Sequence, residues 1–224
     1  EVALISAPMF HVAALDQIVL TVFLKGGTNV IAPRWDVDDT FDLIDRYKVT
    51  WMFGVTSMYA QLAQSPRWTD ADLGSIRSVM SGGTPIPLRL IEMYRDKQVT
   101  FCQGYGLTET APGATFLGPR DAVRKAGSAG RQVMFAEVRI IDGTGVEAQR
   151  GTAGEVLVRG PNVTPGYWAN SEATDAAFTP GGWFHTGDIA YEDDEGFVYI
   201  VDRMKDMYIS GGENVYPAEV ENAL

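Results

Sequence analysis

The sequence predicts an α/β fold in which a parallel sheet with flanking helices is followed by an antiparallel, barrel-like β part. In residues 1–110, short apolar runs alternate with segments of helical periodicity, which is typical of a parallel sheet covered on both faces. In residues 111–201 helical periodicity fades, and short runs alternate apolar and polar residues with period two. Residues 202–224 become charged and end in the first turns of another helix, which indicates the start of a further domain.

The first part contains five apolar runs that are predicted as strands, with helices between them. The strands are expected at residues 2–6, 28–32, 49–53, 76–80 and 99–102, and the helices at 12–24, 36–47, 57–64 and 85–96. Gly26 and Gly27 end the first helix, as glycine just past a helix usually does. Thr84 is expected to cap the last helix, with Pro85 at its first position.

The second part is predicted as short strands joined by tight turns. The strands are expected at residues 136–141, 154–160, 183–189 and 196–201. Asp142-Gly143 is a tight-turn signal, and the acidic run 192–195 is interpreted as a solvated hairpin tip. Residues 209–214 are interpreted as a glycine hairpin tip, after which Pro217 begins a helix.

Composition excludes several classes of protein. The chain has 224 residues, is 46% hydrophobic and carries a net charge of −11, and it shows no basic patch, so nucleic-acid binding is not expected. The single cysteine, Cys102, excludes a disulfide framework. No uncharged apolar run reaches ~18 residues, so no membrane span is expected, although peripheral membrane contact stays open.

No secretory signal is visible, which favours the cytoplasm. The chain does not begin with Met and both ends cut through predicted elements, so we expect a fragment of a longer protein.

Residues 105–109, Tyr-Gly-Leu-Thr-Glu, are the leading candidate for a ligand site. Tyr105 could stack a base, Thr108 could bind a phosphate, and Glu109 could hold a hard cation. Taken alone, the stretch could equally be a polar turn after a strand. However, His11, Gly82-Gly83 and residues 105–109 all follow predicted parallel strands, and ligands bind outside the carboxyl ends of such strands. These residues are therefore expected to gather at one edge of the sheet.

Five motifs in order then give a family resemblance. They are residues 8–11, 81–85, 105–109, 183–188, and 202–206 together with 211–217. In this set the chain resembles the adenylate-forming superfamily, which contains acyl-CoA synthetases, firefly-type luciferases and peptide-synthetase adenylation domains. It is most similar to the bacterial fatty-acyl and aryl-CoA ligases. The resemblance implies that a carboxylate reacts with ATP and Mg²⁺ to give an acyl-adenylate, and that coenzyme A then displaces AMP. It also implies that residues 202–224 are the hinge and the start of a C-terminal lid domain.

The resemblance also implies roles for individual residues. Tyr105 would stack on adenine, Thr108 would bind the α-phosphate, and Glu109 would hold Mg²⁺. Asp188 would accept hydrogen bonds from the ribose hydroxyls, and Arg203 would contact the ribose or a phosphate. His11 would lie near the reacting carboxylate, and Asp202 would act as the hinge. The remaining implied positions are Gly82, Gly83 and Thr84 at the adenine slot, Gly104 and Gly106 around Tyr105, and Gly211 and Gly212 at the pantetheine tunnel.

Two family features are missing, and they bear on activity. The phosphate loop that ends in Pro-Lys-Gly is expected before His11, and the catalytic lysine of the lid is expected beyond Leu224. Electrostatic stabilisation of this kind is often the largest catalytic contribution, so the chain alone is expected to be inactive. His185 and Lys205 are interpreted as structural or surface residues.

Three functions remain open at this point: a CoA ligase, an adenylation domain that loads a carrier protein, and a non-catalytic nucleotide-binding module. Amino-acid adenylation domains usually place an aspartate just after the position of Phe10. Here the residues that follow are His11, Val12 and Ala13, which favours a simple carboxylate as the substrate. The acyl pocket is expected near residues 51–59, 80–84 and 110–114. A fatty acid is the leading substrate, with a bulky aryl acid as the alternative.

Overall fold

The computed structural model describes residues 1–83, 86–206, 208–210, 213–215 and 217. Its first part is built on a seven-stranded sheet of order β2-β1-β3-β4-β5-β6-β7. The strands are β1 Val2–Ile5, β2 Thr28–Ile31, β3 Trp51–Phe53, β4 Ser78–Gly82, β5 Thr100–Tyr105, β6 Thr115–Leu117 and β7 Arg131–Gln132. Strands β1 to β5 are parallel, and β6 and β7 continue the sheet in antiparallel pairing.

Helices cover both faces of the parallel strands. On one face, α3 Val37–Tyr47, α4 Thr56–Gln64 and α5 Leu88–Asp96 pack on a core that includes Tyr59, Tyr94 and Phe101. On the other face lies a continuous helical run made of α1 Val12–Ala14, a π-helical segment Leu15–Leu20 and α2 Thr21–Leu24. Because two separate apolar clusters sandwich the sheet, the predicted α/β class is confirmed.

Three predicted elements differ in detail from the structure. The helix expected at 85–96 begins at Leu88 and has Pro87 at its N-cap in extended conformation (φ −57°, ψ 135°). A residue before proline is driven out of the helical region, so Ile86 cannot start the helix; Thr84 and Pro85 lie outside the described residues. The third strand begins at Trp51, and the loop predicted after α4 contains a 3₁₀ turn, Pro66–Trp68.

The second part is an antiparallel sheet, as predicted. Its four strands have the order β11-β10-β9-β8. They are β8 Glu137–Ile141, β9 Gly154–Arg159, β10 Phe184–Glu192 and β11 Val198–Arg203. A short helix, α6 Ser171–Ala177, lies between β9 and β10. An antiparallel bridge between Gly130 and Val198 joins the two sheets.

The end of the described chain forms a hairpin, in which β12 Tyr208–Ser210 pairs antiparallel with β13 Glu213–Val215. The domain boundaries at residues 110 and 201 stay predictions, and the pairing of β5 with β6 carries the first sheet past residue 110. Within the described residues, none of the helices combines the length and the apolar character needed to cross a membrane.

Candidate functional site

Two glycines lie side by side where β4 and β5 end. Gly82 and Gly104 are partners in the parallel register of these strands. A Cβ on Gly104 would lie 2.5 Å from Cε of Met80, and a Cβ on Gly82 would lie 2.9 Å from the carbonyl oxygen of Gly104. Neither position can therefore accept a side chain without movement of its neighbours. At these two positions the missing side chains make room for the protein's own packing, whereas a Cβ on the next residue, Gly83, would meet nothing within 4 Å, so a ligand can approach the backbone there.

Tyr105, Asp188 and Arg203 form a connected group beside these glycines. The Tyr105 hydroxyl donates a hydrogen bond of 2.8 Å to Oδ2 of Asp188. On the other side, Nε of Arg203 lies 3.4 Å from Oδ1 of Asp188. The Asp188 side chain is 8% exposed and that of Arg203 is 60% exposed. A buried carboxylate thus lies between a tyrosine from the first sheet and an arginine at the end of the second.

A bulge in β10 brings Asp188 to this position. In the pairing of β10 with β9, His185 opposes Leu157 and Ile189 opposes Glu155, so extra residues of β10 are looped out between them. Gly187, inside the bulge, has φ of 69°, a conformation that favours glycine. Asp188 is paired with Arg203 across β11. The bulge therefore takes Asp188 out of the pairing with β9, and its side chain contacts Tyr105.

Burial dominates the electrostatics of the pair. It raises the pKa of the Asp188 carboxyl, while the Tyr105 hydrogen bond and the Arg203 guanidinium act in the opposite direction. Burial, followed by the charge of Asp188, also raises the pKa of Tyr105 far above its usual range. The tyrosine consequently keeps its proton at neutral pH and acts as a hydrogen-bond donor to Asp188.

The loop after Tyr105 is tightly folded. A Cβ on Gly106 would lie 1.6 Å from the carbonyl oxygen of Pro112, so only glycine fits there. A 3₁₀ turn, Thr108–Thr110, follows, and the Thr110 hydroxyl accepts a hydrogen bond from the Leu107 peptide N–H at 2.8 Å. Thr108 is exposed and Glu109 is half-buried. The turn thus presents a hydroxyl and a carboxylate next to each other at the edge of the sheet.

Glu109 is held by a residue from the second part of the chain. The Tyr167 hydroxyl donates to Oε1 of Glu109 at 3.0 Å. In the part of the chain that the structure describes, no cluster of three or more His, Cys, Asp or Glu side chains could hold a metal by itself. A cation at Glu109 would therefore need further oxygen ligands, such as phosphate oxygens or water.

His11 lies near the carboxyl end of β1, on the same edge of the sheet. It is exposed and forms the N-cap of α1, where its Nδ1 accepts the Ala13 peptide N–H at 3.1 Å. Because Nδ1 is the acceptor, the neutral imidazole carries its proton on Nε2. His11 thus offers an N–H donor toward the outside while its other nitrogen has a structural role. His185 contacts Glu155 through Nδ1 at 2.9 Å.

The structure brings together part of the predicted set by direct contact. Tyr105, Asp188 and Arg203 form the connected group, Gly82 and Gly104 are adjacent in the sheet, and Gly83 follows with φ of 92°. Thr108 and Glu109 lie in the turn beyond Tyr105, and His11 shares only the edge of the sheet. Three predicted residues, Thr84, Gly211 and Gly212, lie outside the described residues.

Two residues that contact the candidate site were not predicted from the sequence. Tyr167 bonds Glu109, and Nδ2 of Asn162 donates to the carbonyl oxygens of Thr110 and Gly113, both at 2.9 Å. Nothing in the sequence around Tyr167 specifies which side chain it contacts in the fold. The available signal was an amide and a phenol in a glycine- and proline-containing loop, a composition that suits loops without function equally well.

Comparison with known proteins gives a consistent picture. The family described as "AMP-binding enzyme" matches residues 1–168. The chain is 46% identical to a feruloyl-CoA synthase of an Amycolatopsis species over 224 residues, which are 100% of this chain and 45% of that relative. It is 42% identical over 221 residues to the long-chain-fatty-acid–CoA ligase FadD13 of Mycobacterium tuberculosis, covering 99% of this chain and 43% of the relative. The chain thus spans somewhat less than half the length of the curated relatives that it matches.

Solved structures agree with this result. The AMP complex of O-succinylbenzoate coenzyme A synthetase (MenE) from Bacillus subtilis matches with a TM-score of 0.91 and 38% identity, over 100% of this chain and 45% of that chain. A fatty acyl CoA synthetase of Mycobacterium tuberculosis matches with a TM-score of 0.89 and 43% identity, over 99% of this chain and 44% of that one. The chain belongs to the AMP-binding enzyme family.

Proposed function

We propose that this chain is the adenylate-binding core of an AMP-forming acyl-CoA ligase. The full-length enzyme would activate a carboxylic acid with ATP and Mg²⁺ and pass the acyl group to coenzyme A. One observation carries most of the proposal: the Tyr105 hydroxyl is bound at 2.8 Å to a buried Asp188, where parallel strands end. This pairing places an aromatic ring and a carboxylate side by side, as a nucleoside requires.

The adenosine half of the ligand would lie between backbone and ring. Gly83 leaves open backbone for the purine, and the ring of Tyr105 would stack on it. Gly82 and Gly104 are assigned to the slot by the family resemblance. The hydroxyl of Tyr105 is tied to Asp188, so the ring cannot turn freely. Asp188 would accept hydrogen bonds from the ribose hydroxyls. Arg203 lies beside this carboxylate on its solvent side. Thr84 is assigned to the same slot by the family resemblance alone.

The phosphate half would be bound by the turn that follows. The exposed hydroxyl of Thr108 would donate to an α-phosphate oxygen. Glu109 supplies a hard oxygen ligand, and Mg²⁺ in nucleotide sites is commonly held by one or two carboxylates together with phosphate oxygens, so the residue fits this cation. When bound, the cation would neutralise charge on the phosphates. His11 would orient the substrate carboxylate through its Nε2–H group.

The first half-reaction is a substitution at phosphorus. An oxygen of the substrate carboxylate forms a bond to the α-phosphorus, and the bond from that phosphorus to the bridging oxygen breaks, which releases pyrophosphate. In the second half-reaction the thiol of coenzyme A, which loses its proton, attacks the acyl carbon and releases AMP. Gly211 and Gly212 are assigned to the pantetheine tunnel by resemblance. The phosphate loop and lid lysine of the family fall outside residues 1–224, so this polypeptide alone should not complete either step.

The acyl group would be apolar. Met80 lies against Gly104, and the Gln17 amide contacts its sulfur at 2.7 Å, in a cluster that also contains Ala13, Ala14 and Phe53. Relatives of this chain include proteins named as a feruloyl-CoA synthase, an indoleacetate–CoA ligase and a long-chain-fatty-acid–CoA ligase. We therefore propose that the substrate is an acid with an aryl or alkyl group, and a fatty acid is one of the acids to be tested.

The test is acid-dependent exchange of pyrophosphate into ATP by the full-length enzyme, followed by mass spectrometry of products with coenzyme A. Ferulate, indoleacetate and a long-chain fatty acid form the panel. We expect exchange with at least one acid, and its CoA thioester when coenzyme A is added. Exchange without thioester would favour a carrier-protein acceptor. Binding of an adenylate analogue without exchange for any acid would overturn the proposal in favour of a non-catalytic module.

A further inference from the structure

Residues 162–167, here called the bracket segment, lie against the loop that carries Thr108 and Glu109. Four hydrogen bonds connect them. Asn162 Nδ2 donates to the carbonyl oxygens of Thr110 and Gly113. The Thr164 peptide N–H donates to the carbonyl oxygen of Glu109 at 2.8 Å. The Tyr167 hydroxyl then donates to Oε1 of the same glutamate. Backbone and side chain of Glu109 are thus both fixed by a segment more than 50 residues away.

Tyr167 is itself held in place. Its peptide N–H donates to Oγ1 of Thr174 in α6 at 2.9 Å, and the Thr174 hydroxyl donates to the carbonyl oxygen of Asn170 at 2.8 Å. A phenol is protonated at neutral pH, so the Tyr167 hydroxyl is the donor to Glu109. A chain of hydrogen bonds runs from α6 through Tyr167 to one oxygen of Glu109.

We propose that Tyr167 is a positioning residue that turns the Glu109 carboxylate so that Oε2 faces the divalent cation of the nucleotide complex. This inference rests on the proposed function, because it needs a cation at Glu109. A single carboxylate on a short surface turn rotates freely unless one oxygen is engaged. By occupying Oε1, Tyr167 leaves Oε2 as the metal ligand and reduces the entropy lost when the cation binds.

The test measures cation binding directly. The full-length enzyme is saturated with ATP and titrated with Mn²⁺ as the probe, and free Mn²⁺ is followed by electron paramagnetic resonance. Tyr167→Phe removes only the hydroxyl and keeps the ring. Loss of outer partners of metal ligands typically weakens metal affinity by 10- to 100-fold, and because Tyr167 is 39% exposed we expect about tenfold. The affinity for ATP without a divalent cation should not change.

Tyr47→Phe is the matched control. Tyr47 ends α3, is 42% exposed, and its ring contacts Arg46 rather than the site. This variant should bind Mn²⁺ as the unmodified enzyme does. In steady-state exchange, Tyr167→Phe should raise the Mg²⁺ concentration for half-maximal rate by the same factor and leave the KM of the acid unchanged.

Two outcomes would overturn the inference. Equal Mn²⁺ affinity for Tyr167→Phe and the unmodified enzyme would show that the hydroxyl does not position the ligand. If Tyr167→Phe bound ATP and Mn²⁺ more weakly to the same extent, the substitution would have a general structural effect. Failure of the unmodified enzyme to bind Mn²⁺ with ATP would instead count against the proposed function, so the two failures are distinguishable.

Discussion

Removing the Tyr105 hydroxyl tests the link between the two sheets. Tyr105→Phe keeps the ring but takes away the 2.8 Å hydrogen bond to Asp188. Hydrogen bonds to charged groups contribute about 1.5–3 kcal/mol. The other partner, Arg203, is 60% exposed and lies 3.4 Å away, so it compensates little. We therefore expect the free energy of unfolding to fall by about 2 kcal/mol.

A double-mutant cycle isolates this hydrogen bond. Urea unfolding of the chain is measured for Tyr105→Phe, Asp188→Ala, the double variant and the unmodified protein. We expect a coupling energy of about 1.5 kcal/mol, because each single change removes the same bond. Tyr191→Phe, on the same strand as Asp188, is the control, since its stacking on Tyr199 does not use the hydroxyl. A coupling energy below about 0.3 kcal/mol would refute the reasoning, because that is the scatter expected for independent sites.

Three further outcomes follow from the structure. Gly106→Ala should cost about 2 kcal/mol of stability and abolish adenylate formation, because its Cβ would lie 1.6 Å from the Pro112 carbonyl oxygen; Gly143→Ala, with open space around it, should change the midpoint of urea unfolding little. Burial raises the pKa of Asp188, so the stabilisation of its protonated form is present at acid pH and lost as pH rises through that pKa. Asp188→Asn should therefore gain stability relative to the unmodified protein in a urea series as the pH rises from below about 4, the ordinary pKa of aspartate, through the raised pKa of Asp188, and a pH-independent difference would contradict this. Residues 1–224 alone should give no pyrophosphate exchange above background; turnover near that of the full-length enzyme would show that the missing loop and lysine are dispensable.

The positions of most helices and strands, and the residues that lie at the carboxyl edge of the sheet, could be predicted from the sequence. Period-two and helical patterns reflect burial on one or two faces, so they located β4, β5 and α3 without knowledge of their partners. The prediction that residues 105–109 and the Gly82-Gly83 pair lie at one edge follows from parallel order alone. The start of α5 differs from the prediction because Pro87 lies at its N-cap and the first helical residue is Leu88.

Contacts between distant parts of the chain could not be predicted from patterns. The bond between Tyr105 and Asp188 depends on a bulge in β10. Gly187 permits that bulge, but its position is set by how β10 pairs with β9. The contact from Tyr167 to Glu109 likewise depends on how the loop after β9 folds back. The family resemblance supplied Asp188 and Arg203 as candidates, but the burial that raises the Asp188 pKa is a property of the folded chain.

The central claim is that Tyr105 and Asp188 bind an acyl-adenylate. The most direct measurement is calorimetric titration of the full-length enzyme with an acyl-sulfamoyl-adenosine, a stable analogue of that intermediate. Loss of a charged acceptor for the ribose hydroxyls in Asp188→Asn should weaken binding about 10- to 100-fold. Asp45→Asn, at an exposed pair with Lys48, should leave the affinity unchanged. Equal affinity for the unmodified enzyme and Asp188→Asn would contradict the claim.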